Sequence, residues 1–484
     1  MSAAEHPSHV LVVGGGITGL SAAYRLTRGG EVGVTVVEST ARLGGKVRTE
    51  HLDGFVVDAG PESIAPGRPD ALALADELGV ELVPAATAAP GAVLVAGRRM
   101  RTMPEGIGGF LPRKILPLAT TRLFSPFGKL RMAWEIAVPT RDVDSDESLG
   151  AFTRRRLGGQ AYDRLVEPVA SGIFCGDPDR LSILATMPHL KRAEREHGGL
   201  LRAVLAEKKA ARAAQRATAT GAPAPVRRGI MSPRAGMGEI VDRLVAELAA
   251  SGAELLTSTR LIGLDRIDGR WCATLARADA STEQVLADAV VLAAPTAVTA
   301  DVADLLGAHG SAQALRNVPV SSVTIVSLGF ASDDLPSLDD QLPAHGYLVS
   351  SPGHGSVRQV TRSSSKFPGR APEGSELFRV ALRPTRWMDD DALVEAARDE
   401  LRATLGIVTA PVLVHVQRWD GVMPQYPVGH LDLVAEVERQ LGDRPGVVVA
   451  GSGMHGLGIP DCVASANRAA ARLSTLLAEA PASA

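Results

Sequence analysis

Hydrophobic and polar positions set out a strand–helix–strand unit in the first forty residues. Residues 9–13 (HVLVV) form a short β-branched run that stops at three glycines. Residues 17–28 (ITGLSAAYRLTR) carry apolar side chains at helical spacing, and 34–37 (VTVV) return to a strand closed by Glu38. A helix is expected over 71–79, and a hairpin over 92–103 around Gly97. The stretch 104–200 has helical patterning. From 236 the α/β pattern resumes. GMGEIVDRLVAELAASG reads as an amphipathic helix, followed by strands at 254–257, 260–267, 271–276 and 285–293. Strands at 320–330 and 376–383 follow, then a helix at 391–405 and a strand at 412–418. The last unit is a strand at 447–451, a glycine loop and a helix at 461–478. No internal repeat is apparent.

Composition narrows the class. The 484 residues are 45% hydrophobic and 22% charged, ordinary for two or three globular domains with a large core. The net charge of −3 lacks the basic excess of a dedicated nucleic-acid binder. Cys175, Cys272 and Cys462 lie far apart, which suggests a reducing compartment, with no disulfide framework and no zinc site. The N-terminal run is not patterned as a secretory signal, and no apolar stretch reaches 18 residues. A cytoplasmic location is expected, with peripheral membrane contact left open. Residues 202–228 hold ten Ala, seven Lys or Arg and one Glu. They read as a solvated helix and a flexible linker, with a phosphate- or membrane-facing patch as the alternative.

The strongest local signal is Gly14-x-Gly16-x-x-Gly19, placed between a strand and a helix as a dinucleotide fingerprint requires. Gly14 permits the tight turn, Gly16 leaves room for a pyrophosphate at the helix N-terminus, and Gly19 lets the helix pack on the strand. Gly15, Ile17 and Thr18 belong to the same turn. Glu38, nineteen positions beyond Gly19, can accept hydrogen bonds from a ribose, with Ser39 beside it. Ribose recognition does not separate NAD from FAD.

The next segments do. Arg42-Leu43-Gly44-Gly45-Lys46 resembles the paired-glycine motif of the monoamine oxidase and phytoene desaturase superfamily of flavoproteins, where it runs beside the ribose and pyrophosphate of FAD. Val449-Ala450-Gly451-Ser452-Gly453 and the turn Gly458-Ile459-Pro460-Asp461 resemble that superfamily's C-terminal strand–turn–helix, with Asp461 as a candidate helix cap. Gly60-Pro61-Glu62-Ser63, the run Trp419 to His430 (WDGVMPQYPVGH) and AGSGMHGLGIPDCVASA narrow the resemblance to the porphyrinogen oxidases, over essentially the whole chain. Cys175 departs from that family's aliphatic or Ala position, and 202–228 is an added basic segment.

The resemblance implies a monoamine oxidase-like α/β fold: a Rossmann-type FAD-binding domain, an α+β substrate domain and a helical subdomain. The FAD-binding domain would comprise 1–80, 231–300 and 441–484. The substrate domain would comprise 81–103 and 301–440, the helical subdomain 104–200, and the basic insertion 201–230. One non-covalent FAD per chain is expected. The expected contacts are Gly14 to Gly19, Glu38, Ser39, Arg42, Gly44, Gly45, Lys46, Gly60 to Ser63, Trp419, Ala450, Gly451, Gly458, Ile459 and Pro460.

The implied reaction is oxidation of coproporphyrinogen III to coproporphyrin III, with O2 reduced to H2O2; protoporphyrinogen IX is the alternative substrate. The Ala- and Arg-rich chain resembles the Gram-positive bacterial type, which takes the tetracarboxylate. Arg68 is the candidate propionate cation. Cys175 is a packing residue by default, with catalysis, covalent flavin attachment or substrate contact as the alternatives. No catalytic side chain is expected beyond the flavin, and no metal. Room is left for a ferrochelatase-type downstream partner. Amine or carotenoid oxidation, or flavin or porphyrin binding without catalysis, stay open. Aromatic residues at 4% count mildly against an amine oxidase's aromatic cage. His455 is read as structural, and Trp134, Trp271, Trp387 and Trp419 as core.

Overall fold

The computed structural model describes residues 8–479 apart from 66–67, 87–91, 96–98, 105–106, 109–110, 113–114, 142–143, 218–228, 339–340, 343–344, 351–354 and 384–386. Gly97, the expected hairpin turn, lies outside the described residues.

Five parallel strands organise the nucleotide domain: β1 (Ser8–Val13), β2 (Val32–Val37), β3 (Glu254–Leu256), β4 (Ala289–Leu292) and β5 (Val447–Val449). Their order is β3-β2-β1-β4-β5. The order reverses between β1 and β4, and a crevice opens at the C-terminal ends of these strands. Both faces are covered, which is why β1 is a continuous apolar run rather than an alternating one. Val10 and Val12 pack against the helices α1 (Ile17–Thr27), α2 (Gly238–Ala250) and α3 (Ile459–Glu479). Leu11 and Val13 pack with Trp271, Leu275 and Val434 on the other face.

An antiparallel meander (Thr259–Ile267, Arg270–Arg277, Thr282–Ala287) fills the connection between β3 and β4. The single strand expected at 285–293 is two strands, broken at Asp288. Its carboxylate accepts from the His9 N–H at 2.7 Å and from Arg270 Nε at 2.8 Å, so the chain leaves the meander there and joins β1. α3 starts two residues earlier than expected. Asp461 is therefore its third residue and not its cap.

A seven-stranded sheet forms the second layer. Its order is Leu413–Pro424, Val320–Ala331, Ser375–Leu382, Val357–Arg362, Gly346–Val349, Ala92–Val95 and Arg99–Thr102. The last two are an antiparallel hairpin on its edge. One face packs on helix Asp390–Leu405, which Asp389 caps by accepting from the Ala392 N–H at 2.9 Å. Strand Leu413–Pro424 continues past the expected 418 because a bulge opposite Ser321–Val323 carries the pairing on to Pro424.

Helices between 115 and 217 make a third layer around Phe152, Leu165, Phe174 and Leu190. A buried ion network runs through it. Arg156 and Glu135 are fully buried and paired, and Arg155 and Lys191 meet Glu147 and Glu194. Both Glu135 oxygens accept main-chain N–H groups, from Leu200 at 2.8 Å and Leu201 at 3.0 Å. That carboxylate therefore satisfies the start of helix Leu200–Ala217. The expected insertion at 201–230 is corrected accordingly: Leu200, Ala203 and Val204 are buried, so its first turn is core. Trp134 and Trp387 are also corrections, being 64% and 93% exposed. The helix before Trp134 buries Met132 and turns Phe127, Leu130 and Trp134 outward.

Removing one member of a buried ion pair costs about 3–5 kcal/mol. Glu135→Ala should strip hydrogen-exchange protection from 126–156 and 188–217 while β1 to β5 stay protected. Unchanged protection in the helical layer would show the network to be dispensable.

Candidate active site

The fingerprint glycines have separate jobs, which the packing distinguishes. A Cβ on Gly14, whose φ is +112°, would lie 2.8 Å from the Ala293 main chain. A Cβ on Gly19 would lie 1.9 Å from Gly14 O. Both glycines are demanded by the protein's own contacts. A Cβ on Gly16 would meet only Gly45 Cα, at 4.0 Å. Nothing in the chain needs that space, and it lies at the N-terminus of α1, where main-chain amides face outward. This is the cradle a dinucleotide pyrophosphate requires.

The second glycine loop closes one side of the cradle. The Gly44 N–H donates to Gly15 O at 2.7 Å, and Gly44 and Gly45 have φ of +102° and +57°. The Arg42 guanidinium is turned onto its own loop, donating to Gly45 O, Leu43 O and Val47 O at 2.5, 2.9 and 3.0 Å. It braces the loop. Glu38 Oε2 accepts from the Gly15 N–H at 2.9 Å, and Oε1 accepts from the Thr40 N–H and hydroxyl, both at 2.8 Å, and from Ser39 Oγ at 3.4 Å.

Lys46 joins the loop to the third motif. Its Nζ donates to Val422 O at 2.8 Å and to Ser452 Oγ at 3.3 Å. Burial pushes its pKa down, and no carboxylate lies within ion-pair distance among the described residues. Thr18 is buried beside Gly451, whose φ is +117° and whose N–H donates to Ser465 Oγ at 3.1 Å. Ala450 is held by its N–H on Leu292 O at 2.9 Å. Gly458 precedes α3, and Ile459 and Pro460 form its buried first turn. The Asp461 carboxylate folds back over Gly456 and Gly458, and burial raises its pKa against the pull of Arg68.

Arg68 is therefore not free. Its Nε lies 2.9 Å from Asp461 Oδ1. The sequence-based candidate for a propionate cation is paired with a carboxylate of its own chain, in the third motif.

Gly60 to Ser63 bind the parallel-sheet layer to the seven-stranded sheet. A Cβ on Gly60 would lie 1.8 Å from Lys46 O, and Gly60 O accepts from Arg379 Nη2 at 2.7 Å. Glu62, just after Pro61, accepts from Lys366 Nζ at 2.6 Å and Ser363 Oγ at 3.3 Å, with Arg379 at 3.8 Å. Its carboxylate is occupied by these cations, so it acts as a tether. Burial opposes its ionisation, but Lys366 and Arg379 prevail and hold its pKa at about 2. The Trp419 indole donates to Ala59 O at 2.7 Å. Cys175 ends helix Glu167–Phe174 in the left-handed region, at φ 51°, packed with Val323, Ile325, Ala381, Trp419 and Met423. Burial pushes its thiol pKa up, which suits a packing role. His455 pairs with Glu438 at 2.9 Å.

Sequence reasoning missed two groups. Tyr426 is buried, stacks on His430 and donates to Ser452 O, fixing the loop Lys46 reaches. Lys366 and Arg379 anchor Glu62. Tyr426 lay within the quoted WDGVMPQYPVGH run, but the two cations carry no local signal. Among the described residues, no group of three or more His, Cys, Asp or Glu could hold a metal. Among the described residues, no helix is long and apolar enough to cross a membrane.

The family model for flavin-containing amine oxidoreductases matches residues 17–474. The chain belongs to that family. Its cofactor is FAD, and the Gly16 cradle fits one. Coproporphyrinogen III oxidase of Propionibacterium freudenreichii subsp. freudenreichii is 38% identical over 96% of this chain and 90% of its own length. Coproporphyrinogen III oxidase of Bacillus subtilis (strain 168) is 30% identical over 94% and 95%. A crystal structure from Exiguobacterium sp. 255-15, provisionally named protoporphyrinogen oxidase, superposes with a TM-score of 0.80 at 27% identity, covering 98% of this chain and all of that one.

Gly16→Val should yield a folded protein without flavin, read as lost 450 nm absorbance at unchanged far-ultraviolet dichroism. Gly19→Val should fail to fold, because its side chain strikes Gly14 O. Full flavin in Gly16→Val would refute the cradle.

Glu62 gives a pH test. Its folded pKa of about 2 lies below the ordinary 4.5, so its contribution is present above pH 4.5 and is lost as pH falls through 2. The shift corresponds to on the order of 3 kcal/mol. Urea midpoints at pH 7, 5 and 3 should fall more steeply for the parent than for Glu62→Gln. Parallel curves would contradict the tether.

Proposed function

We propose that this chain oxidises coproporphyrinogen III to coproporphyrin III, a six-electron change made in three two-electron steps. Each step would pass two electrons and two protons to O2, giving three H2O2 in all. The observation that carries the reading is the 38% identity, end to end, with a protein named for that reaction. The superposition on a protein provisionally named for protoporphyrinogen favours that dicarboxylate as the second reading.

When bound, FAD supplies a two-electron acceptor that takes hydride. Gly14 to Gly19, Gly44 and Gly45 would hold its pyrophosphate by main-chain amides, and Glu38 its ribose. Lys46 would place a buried cation beside it. The positive end of α3, reached through Gly458, Ile459 and Pro460, would stabilise negative charge there. Arg42, Glu62, Tyr426 and Trp419 position these groups.

The remaining work is orientation and exclusion of water. A porphyrinogen is four electron-rich pyrroles on saturated bridges, and the pyrroles stabilise the cation left when a bridge carbon loses hydride. A strong protein base is not required, and the wall formed by Cys175, Val323, Ile325, Ala381, Trp419 and Met423 offers none. Such a wall suits the apolar pyrrole face of a macrocycle whose carboxylates lie at its rim.

Anaerobic coproporphyrinogen III should bleach the yellow enzyme, and air should restore the colour with H2O2 and porphyrin fluorescence. Initial rates should favour coproporphyrinogen III over protoporphyrinogen IX; the reverse order would select the second reading, and no bleaching by either would overturn both. Acid precipitation should release the flavin into the supernatant, and flavin in the pellet would contradict non-covalent binding.

A further inference from the structure

Arg358 is a mostly buried cation without a counter-charge among the described residues. It lies on strand Val357–Arg362 of the substrate sheet and reaches across to the helical layer. There Nη1 donates to Ser171 O at 3.2 Å and Ser171 Oγ at 3.1 Å. Its Nε is buried with no partner. Nη2 makes no hydrogen bond, and no carboxylate lies within 4 Å, among the described residues. Ser171 itself donates to Glu167 Oε1 at 3.1 Å, so Glu167 meets Arg358 only through the serine.

The surroundings sharpen the imbalance. Burial pushes the Arg358 pKa down; Cys175 opposes that fall, Arg383 adds a smaller push in the same direction, and Glu167 opposes least. A buried guanidinium is costly unless an anion meets it. Two neighbouring cations of the sheet have carboxylates: Arg379 meets Glu62, which Lys366 also meets, and Arg362 meets Glu376. Arg68, the sequence candidate, is matched to Asp461.

Arg358 also stands beside the apolar wall. Ser171 O, which accepts from Arg358 Nη1, also accepts from the Cys175 N–H at 3.0 Å. Cys175 packs on Trp419, whose indole bonds Ala59 directly before the Gly60-Pro61-Glu62 turn. A carboxylate on the rim of a macrocycle lying against that wall would come within reach of this side chain.

We propose that Arg358 binds a propionate of the porphyrinogen and so selects the carboxylate-rich substrate. This rests on the porphyrinogen reading above. The fork geometry of arginine matches a carboxylate with two parallel N–H donors. Arg358 positions the macrocycle and takes no part in hydride transfer.

The test compares an acid with its ester in FAD-loaded enzyme. Arg358→Gln keeps a donor for Ser171 and removes the charge; Arg358→Lys keeps the charge and loses the fork. Binding of coproporphyrin III and of its tetramethyl ester is read by fluorescence quenching in one detergent buffer, alongside KM and kcat for coproporphyrinogen III. The Gln variant should weaken the free acid on the order of tenfold to a hundredfold in Kd and KM, with kcat nearly unchanged. The Lys variant should fall between, and neither should change ester binding, flavin content or melting temperature. Equal weakening of acid and ester, or none of either, would overturn the proposal while parental turnover keeps the enzyme reading intact. A parent that neither binds nor oxidises porphyrinogens would overturn both.

Discussion

The structure turns on one close contact: two glycine loops lying main chain to main chain. Gly44 donates to Gly15, and a Cβ on Gly45 would already crowd Gly16 Cα at 3.1 Å. An anion of the size of a pyrophosphate is best met there by amides, because side chains would keep it too far from the α1 terminus. That contact sets the path of residues 42–47. The path in turn lets Lys46 cross to Val422 in the substrate sheet and Ser452 in the C-terminal loop. One loop therefore fixes the spacing between cofactor cradle, sheet and α3.

The seam around it is polar, and its polar groups are largely satisfied. Asp58 accepts from the Met237 N–H at 2.9 Å and the Thr49 hydroxyl at 2.6 Å, and faces Arg370 at 3.1 Å. Arg370 donates further to Ser232 Oγ and to Pro233 O. Together with Glu62–Lys366 and Trp419–Ala59, these bonds come from five separated stretches of chain. Breaking any one would strand a buried polar group. Geometry, more than apolar area, is what such a seam specifies, and a hydride acceptor must face its donor within a few tenths of an ångström.

This division explains what could be read from the sequence. The nucleotide half was legible because its signals are local: Gly14 to Gly19, Glu38 and Gly44-Gly45 lie within 32 positions. Strands were legible where the apolar run was continuous, and misread at 285–293, where only Asp288, through His9 and Arg270, marks the change of sheet. Asp461 looked like a cap because acidic residues favour that position. Its partner Arg68 lies 393 residues earlier, and no local pattern announces the pair. Scarcity of Trp is the only ground for expecting Trp134 and Trp387 in the core, and it says nothing of which way a residue faces; both point outward.

The same distinction bears on how the site works. Cations that look available in a sequence are, in the fold, mostly spoken for by carboxylates far along the chain. Charge left over after those pairings is therefore more informative than charge count. In the seam two such residues stand out: Lys46 beside the cradle and Arg358 beside the apolar wall. Each is largely buried, and each has a pKa that burial pushes down. An unpaired buried cation is an expense the fold bears without benefit to its own stability. Lys46 lies next to the glycine loops, and a substrate carboxylate is the partner proposed for Arg358. Two excess charges of this kind fit the proposed reading, in which the chain binds and aligns two anionic molecules and the electron transfer runs between them.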